Sequence, residues 1–76
     1  MRTREISGNF MIVVINGSTH EVADGMTVAQ AVHTLTSATT GVAVAVNDEV
    51  VTRGAWETTA LRDRDRVEVL TAVQGG

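Results

Sequence analysis

The sequence predicts an α+β fold: a mixed sheet of four to five strands with one main helix packed on one face. Three observations lead there. Apolar, largely β-branched runs of strand length occur at Met11 to Ile15, Val42 to Val46 and Arg66 to Val73. The segment after Thr27 places its apolar residues at helical spacing. A helix laid across one sheet face supplies the buried layer that a 43% hydrophobic chain requires.

Taken in order, residues 1–10 show no periodicity and read as a flexible N-terminal extension, with Ile6 and Phe10 as its apolar positions. The domain proper is expected over 11–73. Met11-Ile12-Val13-Val14-Ile15 is a β-branched strand, and Asn16-Gly17 directly after it is a strong hairpin signal. A type I′ turn needs φ > 0 at both central residues, which asparagine and glycine tolerate. Ser18 to Ala23 is the return strand, with His20 and Val22 on one face. Asp24-Gly25 breaks it. Thr27 and Gln30 have capping-box spacing, and Val28, Ala31, Val32 and Leu35 fall at i, i+3, i+4 and i+7. Thr36 to Thr40 is poor helix material and Gly41 a C-terminal stop, so the prediction is a helix of about three turns with a frayed end.

Val42-Ala43-Val44-Ala45-Val46 alternates strictly, so valine faces the core and alanine the other side. Asn47-Asp48-Glu49 turns the chain, and Val50-Val51-Thr52 returns as a short strand. Arg53 to Leu61 holds Trp56 and reads as an irregular or short helical connection. Arg62-Asp63-Arg64-Asp65 is a charged turn before the last strand, Arg66 to Val73. The first and last strands are the most apolar and belong side by side at the centre, in parallel. That arrangement is a β-grasp.

Composition narrows the function. The 76 residues carry a net charge of 6 − 9 = −3, with no cysteine and no proline, and every positive charge is an arginine. A chain without cysteine has no disulfide framework, no thiolate and no cysteine-based zinc site. A chain without lysine forms no Schiff base. A net acidic chain is a poor nucleic-acid partner, because phosphate neutralisation needs clustered cations. No apolar run approaches the roughly 20 residues that span a bilayer. Met1 to Glu5 leads into no apolar signal region, so a cytoplasmic location is expected, with no membrane partner.

The side chains offer little catalysis. His20 and His33 have no partner at metal-ligand spacing, and Ser7, Ser18 and Ser37 lack a nucleophile-elbow motif. Asp63 and Asp65 alternate with Arg62, Arg64 and Arg66, as a self-neutralised exposed turn does. No catalytic residue and no metal ligand is expected.

The tail stands apart. Gly75-Gly76 follows the last strand closely, and 74–76 read as a flexible Gly-Gly tail. Without side chains it fits a channel too narrow for other residues. Extended, the five residues from Ala72 reach about 16 Å, enough to enter another protein's active site. A frayed terminus is the plainer alternative.

Several of these residues are shared with a known group. Met11 to Gly17, Thr27-Val28, Val42 to Val51, Arg53 with Trp56, Leu61, and Asp65 to Gly76 together resemble the ThiS family of thiamine-biosynthesis sulfur carriers, within the ubiquitin-like β-grasp group. The resemblance spans 11–76 and leaves residues 1–10 outside the family pattern. Arg64 stands where the family usually has glycine, and Thr52 where it often has proline. Arginine at Arg64 implies either a strain of about 1 kcal/mol or a slightly different turn; the latter is expected.

The resemblance implies a protein cosubstrate, not an enzyme. A ThiF- or MoeB-type adenylating enzyme would activate the Gly76 carboxylate with ATP and magnesium, neither bound by this chain. A sulfur donor system would convert the adenylate to a thiocarboxylate. The thiazole synthase ThiG would accept the sulfur for the thiazole of thiamine. Gly75, Gln74 and Val73 would be recognised as the tail, and the sheet face away from the helix would meet the partners. Ile12, Val14, Ala43, Ala45, Leu70 and Ala72 alternate onto that face if Val13, Ile15, Val44, Val67 and Val69 face the helix. Arg53, Arg62, Arg64 and Arg66 either steer an acidic partner or are simply solvated. Two alternatives stay open: a sulfur carrier for molybdopterin or another metabolite, and a ubiquitin-like protein modifier or interaction module.

Overall fold

Local chemistry decides where each element begins and ends. The computed structural model describes residues 10–38 and 40–71. Strand β1 spans Phe10–Ile15 and opens one residue ahead of Met11, with Phe10 opposite Ala23. Asn16 and Gly17 take φ of 50° and 83°, the left-handed pair of the expected hairpin turn. Strand β2, Ser18–Ala23, returns antiparallel.

Helix α1 spans Val28–Leu35. Its first four N–H groups, three of which have no backbone partner within a helix, are all satisfied. Val28 N donates to the Thr59 carbonyl, Ala29 N to that of Trp56, and Ala31 N to that of Thr27. Gln30 N donates to Thr27 Oγ1 at 3.2 Å, and the Gln30 side chain accepts from Thr27 N at 2.9 Å, completing the capping box.

The helix is shorter than expected, eight residues instead of about three turns. It stops at Leu35 because Thr36 is extended, and the Thr36 hydroxyl takes the Ala38 N–H at 3.0 Å in a local turn. Gly41, expected as the helix stop, instead enters the next strand with φ 71°. Leu35 is 44% exposed, and Ala29 is buried although the i, i+3, i+4, i+7 pattern omits it.

Strand β3, Val42–Val46, and strand β4, Glu49–Val51, form a second hairpin around Asn47 and Asp48, at φ 51° and 72°. A 3₁₀ turn at Arg53–Ala55 leads to Trp56, and strand β5 is Arg66–Thr71. The sheet order is β2-β1-β5-β3-β4, with β1 and β5 parallel at the centre and β5 antiparallel to β3. This is the ubiquitin-like β-grasp arrangement.

One core lies between helix and sheet. Val28, Ala29, Ala31 and Val32 meet Met11, Val13, Ile15, Val44, Val67 and Val69, and Trp56 and Leu61 join them. The indole N–H of Trp56 donates to the Val51 carbonyl at 3.0 Å, and the Arg53 guanidinium lies 4.7 Å from its ring centroid.

The charged turn differs from expectation at one point. Arg64 has φ 72°, so the turn keeps the left-handed backbone that glycine favours. The carboxylates around it are structural. Asp63 accepts from Ile12 N at 2.8 Å, and Asp65 accepts from Arg62 N at 2.8 Å and Asn47 Nδ2 at 2.9 Å.

Candidate functional site

The site has two parts, a sheet face and the strand that carries the tail. Alternation builds the face. Val13, Ile15, Val44, Val67 and Val69 point into the core, so their neighbours point away from the helix. Cross-strand register then sets the outer residues side by side: Ala43 with Leu70, Ala45 with Glu68, Val14 with Arg66. Ile12, Val14, Ala43, Ala45 and Leu70 thus share the outer face. Leu70 is 69% exposed, Ile12 37%. Ala72, Val73, Gln74, Gly75 and Gly76, the remaining candidates, lie outside the described residues.

Two residues enlarge this face beyond the sequence reading. Val50 pairs with Ala45 and is 76% exposed; Phe10, at the head of β1, is 68% exposed. The signal for Val50 was its place beside Val51 in a returning strand, which needs the β3–β4 register before it can be assigned a face. Glu21, Arg66 and Glu68 lie among these apolar residues, so the surface is apolar ground crossed by charge.

The second part is β5. Toward β3 it is paired as far as Val42 with Thr71. Toward β1 the ladder holds Val14 with Arg66 and Ile15 with Val67. Beyond Val67 the side-chain amide of Asn16 continues it, accepting from Val69 N at 2.8 Å and donating to the Val69 carbonyl at 3.1 Å. The sequence after Thr71 is Ala72-Val73-Gln74-Gly75-Gly76.

Two grooves lie away from this face. One groove of about 450 Å³ contains Asp24, His33 and Thr34 in its lining. The Thr34 hydroxyl is engaged by the Ala31 carbonyl at 2.6 Å. Among the described residues no hydrogen bond joins those three side chains into a relay. Another groove, about 430 Å³, lies against Arg53, Gly54, Trp56 and Glu57. No three His, Cys, Asp or Glu side chains converge on a metal position among the described residues. No helix among them is long and apolar enough to cross a membrane. Of the arginines proposed to steer a partner, Arg66 pairs with Asp48 at 3.0 Å and Arg64 with Asp63 at 3.5 Å, all substantially exposed.

The comparisons agree with this geometry. The model of the ThiS family matches residues 4–76. The match starts at Arg4, inside the segment that the sequence reading set outside the family pattern. The crystal structure of a thiamine biosynthesis protein (ThiS) from Geobacter metallireducens superposes with a TM-score of 0.70 at 33% identity, covering 87% of this chain and 100% of that one. No curated protein matches the chain in sequence.

Proposed function

The chain belongs to the ThiS family, and from that premise we propose that it is a sulfur carrier whose reactive group is the carboxylate of Gly76. The observation that carries the reading is β5: a central strand paired with β1 at Arg66 and Val67 and with β3 as far as Thr71, followed in sequence by a short segment that ends in Gly-Gly. A rigid strand aims a segment whose last two residues have no side chains to obstruct entry into an active site.

The chemistry follows from the group. A carboxylate is a poor acyl donor. An adenylating enzyme of the ThiF or MoeB type lets the Gly76 carboxylate oxygen attack the α-phosphorus of MgATP, forming an acyl-adenylate and releasing pyrophosphate. Hydrosulfide, the sulfide-level form in which the donor system supplies the sulfur, then attacks the acyl carbon. The C–S bond forms as the bond to AMP breaks, and AMP leaves. The resulting thiocarboxylate is anionic and nucleophilic at neutral pH, and it passes its sulfur to thiazole synthase, ThiG. The protein is consumed and regenerated as a cosubstrate, with ATP and magnesium held by its partner. All of this is cytoplasmic chemistry.

The outer face of the sheet is the proposed docking surface, with Ile12, Val14, Ala43, Ala45, Leu70 and Ala72 meeting the partner and Val73, Gln74 and Gly75 read along its channel. Exposed apolar ground crossed by charge suits a partner that binds and then releases.

Pyrophosphate exchange tests the activation step. With an adenylating enzyme and MgATP, the full chain supports exchange of labelled pyrophosphate into ATP, and a variant lacking Gly75 and Gly76 does not. Equal exchange by both forms contradicts the assignment of Gly76.

A further inference from the structure

We infer that Asn16 is a positioning residue for the tail: its side-chain amide stands in for a missing strand residue beside Val69 and holds the outgoing half of β5 in line. The inference rests on the carrier reading above and adds a residue to it.

β1 turns away at Asn16-Gly17, while β5 runs on from Val67 to Thr71. Among the described residues, the outgoing half of β5 therefore has no backbone neighbour on its β1 side. Its peptide groups on that side belong to alternate residues. The Val67 carbonyl accepts from Asn16 N at 2.9 Å, and Val69 is the next residue facing the same way. Asn16 answers both groups of Val69, with Oδ1 taking the N–H and Nδ2 reaching the carbonyl. A primary amide carries the donor and acceptor of a peptide unit, so it pairs as a strand residue would.

The turn alone does not demand this. Its φ of 50° suits aspartate or glycine as well. Ionised aspartate offers acceptors only, and glycine offers neither group. Asparagine alone of these serves the turn and both groups of Val69. Both bonds are partly buried, so water competes for them weakly. Without them, β5 beyond Val67 is held among the described residues along the β3 edge alone and can swing about that edge. Fewer carriers then present the tail in the competent direction. Their apparent affinity for an activating enzyme falls by that fraction, while bound carriers react at the unchanged rate.

The test uses the full chain as wild type, Asn16→Gly, Asn16→Asp and the control Val32→Ala, which trims the buried helix face. Hydrogen exchange is read at single amides, and adenylation kinetics are read against carrier concentration. In Asn16→Gly the Val69 amide exchanges at least about tenfold faster, in excess of any change at Val13 and Val44. Its KM for adenylation rises about threefold or more, with kcat within about twofold. Asn16→Asp keeps the acceptor, so its Val69 amide stays protected and its KM lies between those of wild type and Asn16→Gly. Val32→Ala speeds exchange throughout the core and leaves KM unchanged. Unchanged Val69 exchange in Asn16→Gly overturns the inference alone. So does an equal rise of KM in Val32→Ala, which would mark a general effect of stability. A wild type that no adenylating enzyme activates overturns the carrier reading, and this inference with it.

Discussion

Among the described residues, four non-glycine side chains sit on left-handed backbone, and their chemistry separates them. Asn16, Asn47 and Asp48 have short polar groups that suit φ near 50–72°. Arg64, at φ 72°, has no such local compensation. Its strain is about 1 kcal/mol, and glycine's larger unfolded-state entropy offsets part of the gain from relieving it. Arg64→Gly is therefore expected to stabilise by about 0.5 kcal/mol, read as a raised urea midpoint at unchanged slope. Thr52 behaves oppositely. Its φ of −66° is proline's own value, and its N–H donates to no backbone acceptor among the described residues. Thr52→Pro should stabilise by about 0.4–1 kcal/mol in the same titration; a lowered midpoint contradicts the assignment. Both positions were legible as departures from a family pattern. Whether the backbone would follow the pattern or the residue was not, because that depends on long-range bonds such as Asp63 to Ile12 N and Asp65 to Asn47.

Elements were legible where the pattern was local. Alternating valine and alanine fixes which side of β3 is buried without knowledge of its neighbours. Asn-Gly places the first hairpin, and Thr27 with Gln30 starts the helix as the spacing requires. The helix end was legible in part: the apolar spacing stops at Leu35, as the helix does, and Thr36 to Thr40 is poor helix material, but Gly41 lies too far along the chain to be the stop. Burial of Ala29 follows from the connection after β4, which folds Trp56 and Leu61 onto the helix, a contact no helical period encodes. The cap gives the prediction at this scale. Thr27→Ala removes the hydroxyl acceptor for Gln30 N and should cost about 1 kcal/mol by thermal or urea unfolding. Trp56, as the chain's one tryptophan, provides the fluorescence signal. A loss near zero would mean that the bonds from Val28 and Ala29 to the 53–61 connection suffice to hold the first turn.

At the scale of the molecule, helix and sheet bury one face and leave the other apolar and exposed. The central parallel pair was readable because the two most apolar strands belong at the middle of a sheet. Val50 and Phe10 were missed, because a residue joins a face only once cross-strand register is known. A double variant, Leu70→Ser with Val50→Ser, separates docking from folding. Both residues are mostly exposed, so stability should change by no more than about 0.5 kcal/mol each. KM for the adenylating enzyme should rise with kcat little changed; an unchanged KM moves the interface elsewhere. The most direct measurement of the central claim is the intact mass of the protein after incubation with MgATP, an adenylating enzyme and a sulfur donor. The carrier account predicts a gain equal to the difference between sulfur and oxygen, located at Gly76 and absent when Gly75 and Gly76 are removed. An unchanged mass under conditions where that enzyme converts its own carrier would contradict it.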